Sequence, residues 1–162
     1  MEIRKANLND VDEIMRIYAA AKAYMVQTGN KSQWINGYPQ RELVESDIER
    51  GICHICEDED GIHGVFAFIL GADPTYSYIE DGEWKNDRPY GTVHRIGSDG
   101  KKRGIFNTAL DYCKTVIPDL RIDTHADNKV MQNLITAYGF DRCGIIYIDD
   151  GSPRIAYQYE AK

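Results

Sequence analysis

Residues 90–125 constrain the fold more than any other stretch. They read as an apolar strand at 90–98, a turn of glycines and cations, an amphipathic helix at 103–116 and a second strand at 119–125, set off by Pro118. A strand, helix and strand at this spacing predict a parallel pair with a right-handed crossover. Elsewhere the chain offers a strand at 1–6, a helix from Asn9 to about Gly29, a helix around 41–50, a helix at 128–138 and two hairpins. One hairpin joins 52–56 to 62–70 through an acidic turn; the other joins 143–149 to 153–159 through Asp149-Asp150-Gly151-Ser152-Pro153. The expectation is an α/β fold: a mixed sheet, mostly antiparallel, with helices on both faces.

The length of 162 residues fits a single domain over 1–162. No run approaches the roughly 20 apolar residues of a membrane span, and the opening Met1-Glu2-Ile3-Arg4-Lys5-Ala6 lacks the apolar centre of a signal peptide. A cytoplasmic protein without a membrane partner is therefore expected. A net charge of −7 argues against nucleic acid as a partner, because such surfaces must neutralise many phosphates. Cys53 and Cys56 form a C-x-x-C, but no second pair completes a tetrahedral set, so no metal site is expected. Three positions apart in a strand, the two thiols read as small apolar residues on opposite faces.

Against the acidic background, Lys101, Lys102 and Arg103 stand together in the turn that opens the second half of the crossover. Amides at a helix start, backed by cations, make a place to hold phosphates. On the strand before the turn, His94 adds a group that exchanges a proton near neutral pH. Arg95 alternates with His94 and is expected on the other face.

These residues resemble the GNAT superfamily of acetyl-CoA-dependent N-acetyltransferases over nearly the whole chain. Lys101-Lys102-Arg103-Gly104-Ile105-Phe106 is similar to the family's Q/R-x-x-G-x-G/A pyrophosphate loop, matching at Gly104 and departing at Phe106, where a small residue is usual. Asn128, followed by Gly139-Phe140, resembles the asparagine-led helix that ends in Gly-Phe beside the CoA arm. The resemblance implies a central strand pair that splays apart and acetyl-CoA as cosubstrate. The pantetheine would pair with the strand edge at Ile96 and Ser98, its pyrophosphate would lie on the turn from Lys101 to Phe106, and Asn128 would lie beside it.

It also implies direct attack by a primary amine, of a small molecule or a peptide, in a ternary complex. Such an amine is mostly protonated at neutral pH and gains from a nearby base. His94 is the candidate, directly or through water. The family's usual acid, a tyrosine, is replaced by Ile135, which leaves Tyr138 as the candidate proton donor and Tyr147 as a weaker substitute. A catalytically weak or inactive acyl-CoA-binding sensor is the alternative. For the acceptor, Trp34 and Tyr38 offer flat walls and His125 a polar contact, with Glu80, Asp81, Glu83 and Asp87 supplying negative charge for a cationic amine. The last two strands and the acidic surface allow a symmetric homodimer.

Overall fold

The computed structural model describes residues 1–161. Seven strands form one sheet in the order β1-β2-β3-β4-β5-β7-β6: β1 Glu2–Lys5, β2 Cys53–Asp58, β3 Gly61–Leu70, β4 Gly91–Ser98, β5 Leu120–Thr124, β6 Asp141–Tyr147 and β7 Pro153–Tyr159. All neighbours are antiparallel except β4 and β5, the parallel pair that the crossover demands. Four helices accompany it: α1 Val11–Gln27, α2 Arg41–Glu49, α3 Ile105–Val116 and α4 Lys129–Tyr138.

Each face of the sheet carries its own core. Ile14, Ile17, Tyr18, Ala21 and Met25 recur on one side of α1 and pack with Ile55 and Val65 of the sheet and with Trp34 and Val44. Ile105, Phe106, Ala109, Leu110 and Cys113 of α3 and Ile135 of α4 pack on Phe66, Val93, Leu120 and Ile122 from the opposite side. Cys53 belongs to the first core and Cys56 to the second, as strand alternation requires. The short 3-10 turn Leu8–Asp10 that leads into α1 is closed by a reciprocal cap in which Asn7 accepts from the Asn9 amide and Asp10 accepts from the Asn7 amide. Arg4 on β1 then grips Asp10 with two nitrogens at 2.9 and 3.0 Å.

Residues 72–89 are a packed cover over the outer face of β5, β7 and β6, around Tyr76, Tyr90, Ile146 and Ala156. Glu80 exchanges backbone hydrogen bonds with Ile145 at 3.0 and 2.8 Å, an approach that leaves no room for a side chain at Gly144, where a Cβ would lie 2.5 Å from the Glu80 oxygen. The far end of the segment is pinned by Arg88 and Asn86 on the buried carboxylate of Asp119.

One irregularity positions the site. β4 and β5 pair only at Gly91 with Leu120 and at Thr92 with Arg121, after which β4 stays with β3 while β5 stays with β7. A wedge opens between them, and beyond Thr92 that edge of β4 has no partner strand among the described residues. The wedge is the splayed central pair expected from the resemblance.

Candidate active site

Two cavities meet at the wedge, sharing Met25, Ile96, Asn128 and Met131 in their walls. The smaller, of about 520 Å³, runs from the open edge of β4 to the start of α3. Ile96, Ser98, Lys102, Gly104, Ile105, Phe106 and Asn128, all singled out from the sequence, line it. Gly104 has φ +78° and nothing within 4 Å of where a Cβ would stand, so the backbone there turns in the left-handed region and lies open. The amides of Lys102 through Asn107 have no acceptor among the described residues. Six free donors at the start of a helix suit an anion such as a pyrophosphate. The Phe106 ring avoids the turn by entering the core, where it is 6 % exposed and packs edge-on against Tyr138.

The turn differs from expectation at its first residue. The Lys101 amide is taken by Asp99 Oδ1 at 3.0 Å, and the side chains of Lys101 and Arg103 stand outside the cavity wall. Lys102 lines the cavity while its ammonium rests on Asp60 at 2.8 Å and Asp58 at 3.3 Å. His63 is buried between Asp58 and Asp99, 3.0 Å from each, and so ties the turn to the β2–β3 hairpin. Asn128 caps α4 by accepting from the Met131 amide and donates to Gln33 Oε1 at 3.0 Å.

The larger cavity, of about 610 Å³, opens on the other side of the wedge, with His94, Trp34 and Tyr38 in its wall. Arg95 is there too, which corrects the alternation read from the sequence. Opposite Phe66 the register slips by one residue, and Arg95 takes φ +53°, so that it and His94 project on the same side. The Arg95 guanidinium lies on the buried carboxylate of Asp47 with two contacts of 3.0 Å and reaches the Tyr38 hydroxyl at 3.3 Å, while its carbonyl accepts from the Tyr18 hydroxyl at 2.8 Å. Burial raises the Asp47 carboxyl above the ordinary range in spite of Arg95. Gly97 lets α1 approach this kink, since a Cβ there would sit 3.2 Å from Ala21 and 3.3 Å from Tyr18.

His94 Nε2 lies 2.8 Å from Asp73 Oδ2. Asp73 is fixed in turn: its Oδ1 accepts from the amide and hydroxyl of Thr75, and its own amide donates to the Tyr90 hydroxyl. Burial works against the Asp73 charge, but His94 and the two Thr75 donors overcome it and hold the carboxyl down to about 2. An ionised carboxylate at Nε2 requires the proton there, which leaves the lone pair of neutral His94 on Nδ1, an atom with no partner among the described residues. The arrangement can accept a proton at one defined atom.

Several residues fall elsewhere. Tyr138 lies outside both cavity walls: its hydroxyl donates to Asp111 at 2.6 Å on the outer surface, and its ring packs on Phe106, Phe140 and Tyr159. Its place in the last turn of α4 points it towards α3, so it does not reach the wedge, and burial together with Asp111 raises its hydroxyl above the usual phenol range. Ile135, on the inner side of α4, is fully buried. His125 also lies outside the wall, its Nδ1 accepting from the Asp127 amide at 2.9 Å to close the turn before α4. Tyr147 and Glu80 hydrogen-bond each other on the β6 side, and Glu80, Asp81, Glu83 and Asp87 are likewise absent from the wall. Sequence reading missed Asp73, Asp47 and Arg154, which border the larger cavity directly or through Arg95; Asp123, at the polar strand end 123–128 where open α/β sheets place their ligands, lines it too. The three missed residues stand in α2, in β7 and in the segment after β3, and no local spacing connects them to His94.

No protein-family model and no curated protein matches the chain. Solved structures do. An acetyltransferase of the GNAT family from Streptococcus agalactiae 2603 is 32% identical, with a TM-score of 0.89 over 99% of this chain and 95% of the other. One of the GNAT family from Listeria monocytogenes 4b F2365 is 20% identical, with a TM-score of 0.70 over 98% and 94%. A ribosomal-protein-alanine N-acetyltransferase from Brucella melitensis is 15% identical, with a TM-score of 0.60 over 99% of each chain. The last two share the fold.

Proposed function

Because the chain belongs to the GNAT family of acetyltransferases, we propose that it moves the acetyl group of acetyl-CoA directly to a primary amine held in the larger cavity. The observation that carries this reading is the His94–Asp73 pair, set in the acceptor wall beside the open edge of β4. The donor side fits the cosubstrate chemically: six free amides from Lys102 to Asn107 suit its pyrophosphate, and the unpaired edge at Ile96 and Ser98 suits the amides of its arm. When bound, acetyl-CoA supplies an activated acyl carbon and a thiolate leaving group.

Asp73 keeps the His94 ring in one tautomer, and Nδ1 takes the proton that the attacking amine must lose, directly or through one water. The β4 edge holds the donor beside it, so that much of the rate comes from placing the two reactants together. Trp34 and Tyr38 close one wall and exclude water from it. With Ile135 buried, Thr136 exposed and Tyr138 on the outer surface, no hydroxyl of α4 lines either cavity to serve the departing thiolate.

Release of free CoA from acetyl-CoA, measured across a panel of primary amines, tests the reading. His94→Ala is expected to lower kcat by about 100-fold while the KM for acetyl-CoA stays close to that of the parent, since His94 is outside the donor wall. Activity of the alanine variant within threefold of the parent would remove His94 as the base. CoA release no faster with any amine than without one would remove the transferase reading.

A further inference from the structure

The larger cavity contains a buried cation with which no carboxylate of the described residues is in direct contact. Three guanidinium groups lie mostly buried on the outer face of the sheet, and two are accounted for. Arg95 is paired with Asp47 at 3.0 Å, and Arg121 is sandwiched between the rings of Trp84 and Tyr90 at 4.1 and 3.9 Å. Arg154, at the start of β7, is only 6 % exposed, and among the described residues it has no carboxylate within 4.0 Å. Its one hydrogen bond within the protein runs from Nη1 to the adjacent Pro153 carbonyl at 2.8 Å. Its Nε and Nη2 have no hydrogen-bond partner among the described residues, and Arg154 is part of the cavity wall. Its positive field reaches His125, which burial and then Arg154 push below the usual imidazole value, and the exposed Asp150, whose carboxyl Ser152 and, to a lesser degree, Arg154 hold below the usual carboxylate value. A buried guanidinium without a partner is costly unless something supplies the anion.

Strand register sets what lies beside it. Asp123 of β5 faces Ala156 of β7, so Arg154 is its diagonal neighbour on the same face, about 7–8 Å away between backbones. Asp123 Oδ2 accepts from the Tyr76 hydroxyl at 2.6 Å, and its other oxygen has no partner among the described residues. The Tyr76 ring lies 6.2 Å from that of His94. Across the wedge the order is thus base, free carboxyl oxygen, free guanidinium: His94, Asp123, Arg154.

We propose that the acceptor is a primary amine that also bears a carboxylate, with the carboxylate on Arg154 and the amino group between Asp123 and His94. This rests on the N-acetyltransferase reading for its chemistry, but the anion site is testable without turnover. A planar fork matches a carboxylate through two parallel hydrogen bonds, which an ammonium cannot reproduce. The class is that of amino acids and short peptides with the amine and carboxylate close together. Exposed Asp149 and Asp150, also in the wall, disfavour large polyanions.

The experiment compares each of alanine, glutamate, β-alanine and diglycine with its amide or decarboxylated amine, as acceptors for CoA release by the parent, Arg154→Lys and Arg154→Gln. The parent is expected to favour the best carboxylate-bearing amine at least tenfold in kcat/KM over its partner. Arg154→Gln should reduce that ratio at least tenfold, chiefly through KM, with Arg154→Lys in between. A parent with no preference, or a ratio that Arg154→Gln leaves intact, overturns the proposal. If no amine is turned over, the transferase reading fails, and the anion site is decided by calorimetric titration with N-acetylalanine and N-acetylalaninamide. Tighter binding of the acid by the parent but not by Arg154→Gln supports the site; equal or absent binding refutes it. Thermal unfolding of each variant establishes that it is folded, and Arg154→Lys, which keeps the charge, stands in should Arg154→Gln fail to fold.

Discussion

At the residue scale the proposed chemistry turns on one hydrogen bond. Asp73 fixes the tautomer of His94, so Asp73→Asn is expected to lower kcat by about tenfold to 100-fold, less than or equal to the loss in His94→Ala. Measuring both variants and the double variant tests the coupling: if the residues act as a unit, the double variant is no slower than His94→Ala alone. His94 was legible in the sequence because a histidine stood on the strand leading into a basic, glycine-bearing turn at a helix start. Asp73 was not, since it lies 21 residues away in a segment without periodicity. The cysteines make a second point. Burial pushes the thiols of Cys53 and Cys113 up to about 12 and that of Cys56 up to about 11, so native protein at pH 8 is expected to resist thiol reagents and to label at these positions only when unfolded. Fast labelling of the native state at Cys53 or Cys56 would contradict their placement in the two cores.

At the element scale the donor side depends on the turn between β4 and α3. Gly104→Val forces a branched side chain into the left-handed region at a cost of about 1–2 kcal/mol, although the space around it is open. The KM for acetyl-CoA should rise at least several-fold while the acceptor KM moves little; an unchanged acetyl-CoA KM would argue that the turn does not hold the cosubstrate. The turn was readable because glycine and helix-start signals are local. Its amides were readable only in part, because Lys101 is lost to Asp99 and His63 clamps the turn to a hairpin far away in sequence. The kink in β4 was not readable. Strict alternation sends Arg95 away from His94, and only the slipped pairing opposite Phe66 brings the two together.

For the whole molecule, ligand and proton binding should both appear in stability. CoA binds the native state alone if the cleft between β4 and β5 holds it, so at 100 times its Kd it should add about 2.7 kcal/mol and raise Tm. Acid acts in the opposite direction. Arg4 holds Asp10 below the usual carboxylate range; burial opposes the same shift at Asp119 but Arg88, the Ala161 amide and Asn86 together outweigh it; and Asp73 sits at about 2. Their unfolded values lie near 3.9. The stability they lend is therefore complete above about pH 4 and is lost as the pH falls through their folded values, towards 2. Urea titrations at pH 7, 4 and 2.5 measure the loss, and Asp73→Asn should lose less on acidification than the parent. An equal loss would mean that Asp73 carries none of it.

By itself the sequence determined the elements, the parallel pair at the crossover, the two apolar faces, the glycine-bearing basic turn at the start of a helix and the histidine beside it. All of these follow from periodicity, capping and turn chemistry acting over a few residues. Only the tertiary structure decided which side chains share a cavity. It placed Tyr138 and His125 outside, brought Arg95 in, seated Asp73 on His94 and left Arg154 in the wall of the larger cavity with no carboxylate of the described residues in direct contact. Those outcomes depend on register, on the separation of β4 from β5 and on what the 72–89 segment covers. Each is set by contacts between residues distant in the chain, for which local physics carries no signal.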